Sequence, residues 1–361
     1  MKAIINSQTR KKALIAAAGT GGHIFPGLAL AEGLTSNGWS VVWLGTTTGM
    51  ENRIVPQKNI QFESIEFNGV RGKGALTWLL MPFKLIKATL ECYKIITKTK
   101  PNVIVGFGGY VSLPAGLAAK MSFKHLIIHE QNSVAGLSNK VLSYFTKDVF
   151  TAFPSVIKNA TVAGNPLRTE FFNIPHPEVR FQNRTGPLHI LIIGGSLGAK
   201  FLNETIPQAI KLMPVQNRPI VIHQSGVNQF NELQSLYSAL NVEATVVQFI
   251  DNTANAFADA DLIICRAGAS TVAEITAVGA AAVFVPLPSA VDDHQTKNAK
   301  YLVDHNAAWL HPQHELTPEK MADQILNMNR GRLLEMAIAS KKLNIPNTLL
   351  TMIEACEEIT L

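Results

Sequence analysis

Short, nearly continuous apolar runs alternate along this chain with longer segments whose apolar residues recur at helical spacing. A run that is apolar at every position suits a strand buried on both faces. Such strands alternating with helices predict βαβ units around parallel sheets. In the first half the runs place strands near 12–18, 40–45, 62–67, 102–106, 125–130 and 148–153. The pattern lapses after Asn165-Pro166 through 172–186, then restarts with strands near 188–193, 219–224, 244–249, 261–265 and 281–286. Helical spacing covers 271–278, 294–305 and 348–360, the last expected to pack back on the first half. The fold class read from this order is α/β, two Rossmann-like parallel-sheet domains facing across a cleft. Their expected limits are 1–168, with 346–361 returning to it, and 169–345.

Each half opens alike. The strand Leu14-Ile15-Ala16-Ala17-Ala18 runs into Gly19-Thr20-Gly21-Gly22-His23, and Ile190-Leu191-Ile192-Ile193 runs into Gly194-Gly195-Ser196-Leu197-Gly198. Where a strand turns into a helix through small residues, bare N–H groups and the helix dipole can hold an anion. Close helix–strand packing demands the same glycines. The dinucleotide fingerprint is incomplete, because Ile24 takes the third glycine position and no acidic residue ends the strand over 41–45. A nicotinamide oxidoreductase is demoted on that ground. A further loop in the first half, Gly106-Phe107-Gly108-Gly109-Tyr110, exceeds what one mononucleotide needs. It suits a second anionic group, such as an acceptor pyrophosphate, or a close helix–strand crossing.

Several polar residues then become candidates for ligand contact. Arg168 stands at the junction of the halves, where a guanidinium could reach a diphosphate. In Arg266-Ala267-Gly268-Ala269-Ser270-Thr271-Val272-Ala273-Glu274, small and hydroxyl residues open a helix, and Glu274 could accept the two hydroxyls of a ribose. Its alternative role is favourable charge placement near a helix start. Asp292-Asp293-His294-Gln295 has the look of metal ligands, but no matching cluster accompanies it elsewhere. Sugar recognition by Gln295 and helix capping by Asp292 or Asp293 are expected instead.

Composition narrows the classes. Apolar residues make up 47% and charged residues 16%, which excludes a disordered chain. The net charge of +6 favours an acidic partner: a nucleotide, a pyrophosphate or an anionic membrane face. Nucleic acid is not expected, since the basic residues are spread out and no reading module appears. Cys92, Cys265 and Cys356 form no pair at metal or disulfide spacing, which fits a reducing compartment. No stretch reaches the roughly 20 apolar residues needed to span a bilayer. One segment nevertheless looks outward: Leu76, Leu79, Leu80, Phe83, Ile86 and Leu90 follow helical spacing, and Lys84 and Lys87 lie beside them. A basic, strongly apolar helix of this kind can lie in a membrane interface or form a core helix with solvated lysines.

With these residues in hand, the chain resembles the MurG family of bacterial peptidoglycan synthesis almost end to end. The resemblance rests on the ordered set Gly19 to Gly27, Gly106 to Ser112, His129-Glu130-Gln131-Asn132, Gly164 to Arg168, Gly194-Gly195-Ser196, His223 to Gly226 and Ala269 to Glu274. It implies a GT-B fold and an inverting, metal-independent glycosyltransferase with no cofactor. The reaction implied is transfer of N-acetylglucosamine from UDP-GlcNAc to lipid I, the undecaprenyl-pyrophosphoryl-MurNAc-pentapeptide. Implied partners are those two substrates, the anionic cytoplasmic face of the inner membrane, and other cell-wall synthesis and division proteins.

For the residues, the resemblance implies that Arg168 and Ser196 hold the diphosphate, Ile250 meets the uracil through its backbone, and Glu274 takes the ribose. Gln295 meets the sugar, and Thr20, Gly21, Gly22 and Asn132 line the acceptor side, with Ala269 to Ala273 completing the donor loop. His23 is the expected base, with Glu130 its rival; Gly108, Gly109 and Tyr110 are assigned to the acceptor pyrophosphate. Leu197, Leu113, Ala115 and His294 depart from the family's usual residues, which bears on donor contacts and loop shape. Competing readings are another GT-B transferase with a different acceptor and a non-catalytic UDP-sugar sensor.

Overall fold

The computed structural model describes residues 10–67, 80–195 and 197–359. The chain divides into two compact units, Met1–Leu167 with Asn347–Leu361, and Arg168–Pro346. In the first unit the order is β1 (Lys12–Ala16), α1 (Gly21–Ser36), β2 (Ser40–Thr46), α2 (Glu51–Ile54), β3 (Gln61–Ile65), α3 (Met81–Thr99), β4 (Val103–Gly106), α4 (Ser112–Met121), β5 (His125–Glu130), α5 (Leu137–Leu142), β6 (Asp148–Thr151) and β7 (Thr161–Val162). Its strands are all parallel, in the spatial order β3-β2-β1-β4-β5-β6-β7.

The uninterrupted apolar run at β1 has a direct cause. Ala13, Ile15 and Ala17 enter the core on one face of the sheet, and Leu14, Ala16 and Ala18 enter the core on the other. Successive side chains of a strand point to opposite faces, so a strand covered on both sides must be apolar throughout.

The second unit runs α6 (Pro177–Phe181), β8 (His189–Ile193), α7 (Lys200–Leu212), β9 (Ile220–Gln224), α8 (Phe230–Ala239), β10 (Thr245–Val247), α9 (Thr253–Asp259), β11 (Leu262–Cys265), α10 (Ala269–Val278), β12 (Ala282–Phe284), α11 (His294–Val303), β13 (Ala308–Leu310), α12 (Pro318–Leu326) and α13 (Arg330–Lys342). Its parallel sheet is ordered β10-β9-β8-β11-β12-β13. Buried Asp261 anchors the entry to β11, accepting from Arg184 at 2.8 Å, Arg330 at 3.0 Å and the His189 amide at 2.9 Å. Burial opposes its charge, but those donors outweigh it and hold the carboxyl below its ordinary range.

The last helix, α14 (Thr348–Glu358), belongs to the first unit and packs along α1. A Cβ on Gly33 would sit 2.8 Å from Ile353, so the two helices approach as closely as they do because Gly33 has no side chain. Glu357 closes the far end, accepting from Lys11 and from the Trp39 indole, each at 2.5 Å.

The structure trims the expected strands and adds two. The first run ends as strand at Ala16, where the chain begins its turn, and the run at 244–249 keeps only Thr245–Val247. β7 and β13, two and three residues long, went unpredicted because such short edge pieces carry too few residues for a pattern. Pro82 lies in the first turn of α3, where its missing N–H costs nothing, so it starts the helix rather than kinking it.

Candidate functional site

In each sheet the strand order reverses once, between β1 and β4 in the first unit and between β8 and β11 in the second. Loops leaving strands on either side of such a reversal diverge, and the crevice between them is where open α/β sheets bind ligands. The loops at these places are the ones singled out by their small residues: 17–20 and 107–110 in the first unit, 194–198 and 266–268 in the second.

In the first unit, α1 starts at Gly21 after Thr20, which provides no side-chain cap, and His23 lies in the first turn. The His23 ring is held from two sides. Its Nδ1 is 2.7 Å from Gln131 Oε1, and a Cβ on Gly108 would sit 3.0 Å from its Nδ1 and Cε1. Gly109, at φ +75°, has its α-carbon so close to the Ala18 carbonyl that no side chain could be added. Both glycines of the second loop therefore have a packing reason beside the expected ligand role, while Tyr110 stays about half exposed.

Glu130 is differently placed. It is buried, and its two oxygens accept from the amides of Asn132 at 3.1 Å and Gly136 at 3.0 Å and from Asn139 Nδ2 at 2.9 Å. A carboxylate so surrounded shapes the 130–139 loop, and Asn132 with it.

Sequence reasoning missed three residues here. Glu51, fully buried, accepts from Thr46 N at 2.9 Å, Thr46 Oγ1 at 2.6 Å and Gly19 N at 3.3 Å, so an acid just past β2 braces the first glycine loop. His129 and Gln131 are also fully buried, and they bond to one another. Their signal was two polar side chains closing the apolar run Leu126-Ile127-Ile128, since buried polar groups must find partners.

In the second unit, Gly195 needs no side chain because of its φ of +89°, and a Cβ there would meet nothing within 4 Å among the described residues. Gln224 braces this loop, donating to Gly195 O at 3.0 Å and accepting from Ile250 N at 3.1 Å. Only the carbonyl of Ile250 therefore remains for the uracil contact expected of its backbone. Ser196 lies outside the described residues.

Arg168 is positioned by Glu170 at 2.9 Å and Thr253 Oγ1 at 2.9 Å, in the turn that packs on α10. Glu274, on α10, is partly buried. Burial pushes its carboxyl up to about 7, with Arg168 opposing the rise and Glu170 adding to it. Arg168 and Glu274 are thus brought together, and Ser270 Oγ is buried nearby on α10 without a partner among the described residues. Ala269, Val272 and Ala273 fill the start of the same helix.

Gln295 Oε1 accepts from Leu287 N at 2.9 Å, which fixes the way its amide is turned. Asp293 occupies the cap position of α11, but the expected cap is not made. Its left-handed backbone, φ +53°, departs from the extended geometry a capping side chain needs, and its carboxylate instead takes the Thr296 hydroxyl at 2.6 Å.

On α3, Phe83, Ile86, Leu90 and Tyr93 form a stripe of exposed apolar side chains, with Leu80 exposed just before the helix. Phe83 is 71% and Ile86 58% exposed, while the opposite face of α3 buries Ala88, Cys92 and Ile96 in the core. Lys84 and Lys87 flank the stripe and are exposed as well. Leu76 and Leu79 lie outside the described residues. Among the described residues no helix is long and apolar enough to cross a membrane, and no cluster of His, Cys, Asp or Glu could hold a metal ion.

Comparison with known proteins connects both units to one family. The glycosyltransferase family 28 N-terminal domain matches residues 13–151, and the glycosyltransferase family 28 C-terminal domain matches 189–349. A protein of Paracidovorax citrulli named UDP-N-acetylglucosamine–N-acetylmuramyl-(pentapeptide) pyrophosphoryl-undecaprenol N-acetylglucosamine transferase is 52% identical, over 97% of this chain and 99% of its own. One of Albidiferax ferrireducens with the same name is 51% identical over 97% and 92%. The crystal structure of Acinetobacter baumannii MurG superposes with a TM-score of 0.83 at 42% identity, covering 96% of this chain and 99% of that one. The calicheamicin glycosyltransferase CalG4, at 14% identity and a TM-score of 0.68, shares the fold. The chain therefore belongs to glycosyltransferase family 28, and within it to the MurG group of N-acetylglucosaminyltransferases.

Proposed function

We infer that the chain transfers N-acetylglucosamine from UDP-GlcNAc to the 4-hydroxyl of MurNAc in undecaprenyl-pyrophosphoryl-MurNAc-pentapeptide, converting lipid I to lipid II. The observation that carries this reading is the match at 52% identity to a transferase of that name across 97% of the chain. The first unit takes the acceptor and the second the donor. Arg168 and the 194–198 loop receive the diphosphate, Glu274 the ribose, Gln295 the sugar and the Ile250 carbonyl the uracil.

His23 acts as base. As the acceptor oxygen attacks the anomeric carbon, His23 takes the hydroxyl proton, and the bond to the UDP oxygen breaks with its electron pair leaving on UDP. Glu130 is less suited, since its oxygens are committed to N–H donors. The test is release of UDP from UDP-GlcNAc by the purified protein. Release is expected only when lipid I is supplied. Equal release with a different acceptor, or none with lipid I, overturns the assignment.

The exposed stripe on α3 rests on the cytoplasmic face of the inner membrane, where the lipid-linked acceptor resides. Apolar side chains enter the interface, and each lysine contributes about 1 kcal/mol against an anionic surface. Phe83→Ser with Lys84→Glu and Lys87→Glu is expected to weaken binding to phosphatidylglycerol vesicles at least tenfold. Turnover of a soluble short-chain acceptor should be retained. Undiminished vesicle binding by this folded variant would place the membrane contact elsewhere.

A further inference from the structure

Four groups of the first unit form a hydrogen-bonded line whose polarity is set by its buried end. His129 Nε2 lies 2.7 Å from the Gly164 carbonyl oxygen, which can only accept, so that nitrogen carries a proton. Burial pushes the His129 imidazole down to about 4, against the smaller opposing effects of Gly164 and Glu130, so the ring is neutral at working pH. A neutral ring with its proton on Nε2 presents a lone pair at Nδ1.

Gln131 Nε2 faces that lone pair at 2.9 Å and the His129 main-chain oxygen at 2.9 Å. Both partners are acceptors, so the amide can be turned only one way, with its nitrogen toward His129. Its oxygen then faces His23 Nδ1 at 2.7 Å and must accept. The His23 ring, backed by Gly108, cannot swing away without leaving a buried carbonyl oxygen unpaired.

We propose that His129 and Gln131 are positioning residues that hold His23 as its Nδ1–H tautomer, leaving the Nε2 lone pair to take the acceptor's proton. The proposal rests on His23 being the base. Neutral imidazole free in water prefers the other tautomer, in which Nε2 carries the proton and cannot act. The line from Gly164 thus does by hydrogen bonding what a carboxylate beside a catalytic imidazole does in other enzymes, without raising the charge of the site. His129 never changes its protonation in the cycle; it only reads the Gly164 carbonyl and passes the direction on.

The test is nitrogen NMR of the protein labelled with ¹⁵N-histidine, with His23 assigned by its loss in His23→Gln. At a pH where the ring is neutral, the unsubstituted protein should show His23 protonated at Nδ1. Gln131→Met, close in shape but without the accepting oxygen, should move the ring toward the Nε2–H form. It should also lower kcat roughly tenfold or more, short of losing the base, with KM for UDP-GlcNAc unchanged. An Nε2–H ring in the unsubstituted protein overturns the proposal, and this measurement does not depend on any variant folding. So does a folded Gln131→Met with the tautomer unmoved. A tautomer that moves while kcat holds supports the hydrogen-bonded line and counts against His23 as base, which keeps the two failures apart.

Discussion

Replacing His23 with alanine is expected to lower kcat by roughly 10²–10⁴-fold, the usual contribution of a general base. The affinity for UDP should be nearly unchanged, because Arg168, Glu274 and Gln295 all belong to the second unit. The acidic limb of the pH–rate profile should flatten, since no group then needs to lose a proton before it can take one. Steady-state kinetics with lipid I across pH, beside calorimetry with UDP, would check all three. A variant with near-normal kcat and the original acidic limb would reduce His23 to a wall of the first glycine loop. The packing of its ring against Gly108 and Gln131 would then be its whole purpose.

Glu274→Ala should cost about 1.5–3 kcal/mol of donor affinity, the range for hydrogen bonds to a charged group. The pH dependence has a definite sign. Burial raises the carboxyl to about 7, and ribose hydroxyls bond best to its ionised form. UDP affinity should therefore climb as pH rises through about 7 and level off above it. Stability of the free protein should run the other way. A carboxyl raised on folding binds its proton more tightly in the folded state, so its stabilising effect is complete below the unfolded value and lost as pH rises to about 7. Glu274→Gln is accordingly expected to melt higher than the unsubstituted protein at pH 8 while binding UDP less well. Unchanged UDP affinity in either variant would remove Glu274 from the donor site.

The architecture was legible in the chain because buried parallel strands are written in apolar runs. Ala13 to Ala16 could hardly be anything but a strand covered on both faces, and the small-residue loops marked the places where each sheet reverses. Ala308–Leu310 was not legible, because three residues define no period. The site divides on similar lines. Arg168, Glu274 and Gln295 stand beside recognisable loops, so type and position were enough to make them candidates. His129, Gln131 and Glu51 are buried polar residues whose meaning depends on partners far along the chain, such as Gly164, His23 and Gly19. Pairings of that kind are created by the fold, and no local pattern announces them. The cap expected from Asp293 failed for a related reason: residue type was right, but its backbone is left-handed.

The position of α14 has a consequence for how the protein is made. The first unit's strands and helices leave the ribosome early, yet one face of α1 stays uncovered until 348–358 has been synthesised, and Thr348 lies 185 residues after its partner Ala163. During that interval the slots for Met352, Ile353 and Cys356 lie open, and Trp39 and Lys11 lack Glu357. The second unit, Arg168–Pro346, can meanwhile fold from a continuous stretch of chain. A released chain ending at residue 346 should therefore carry a folded C-terminal unit beside an N-terminal one that still binds chaperones, so that the half made first is the half finished last.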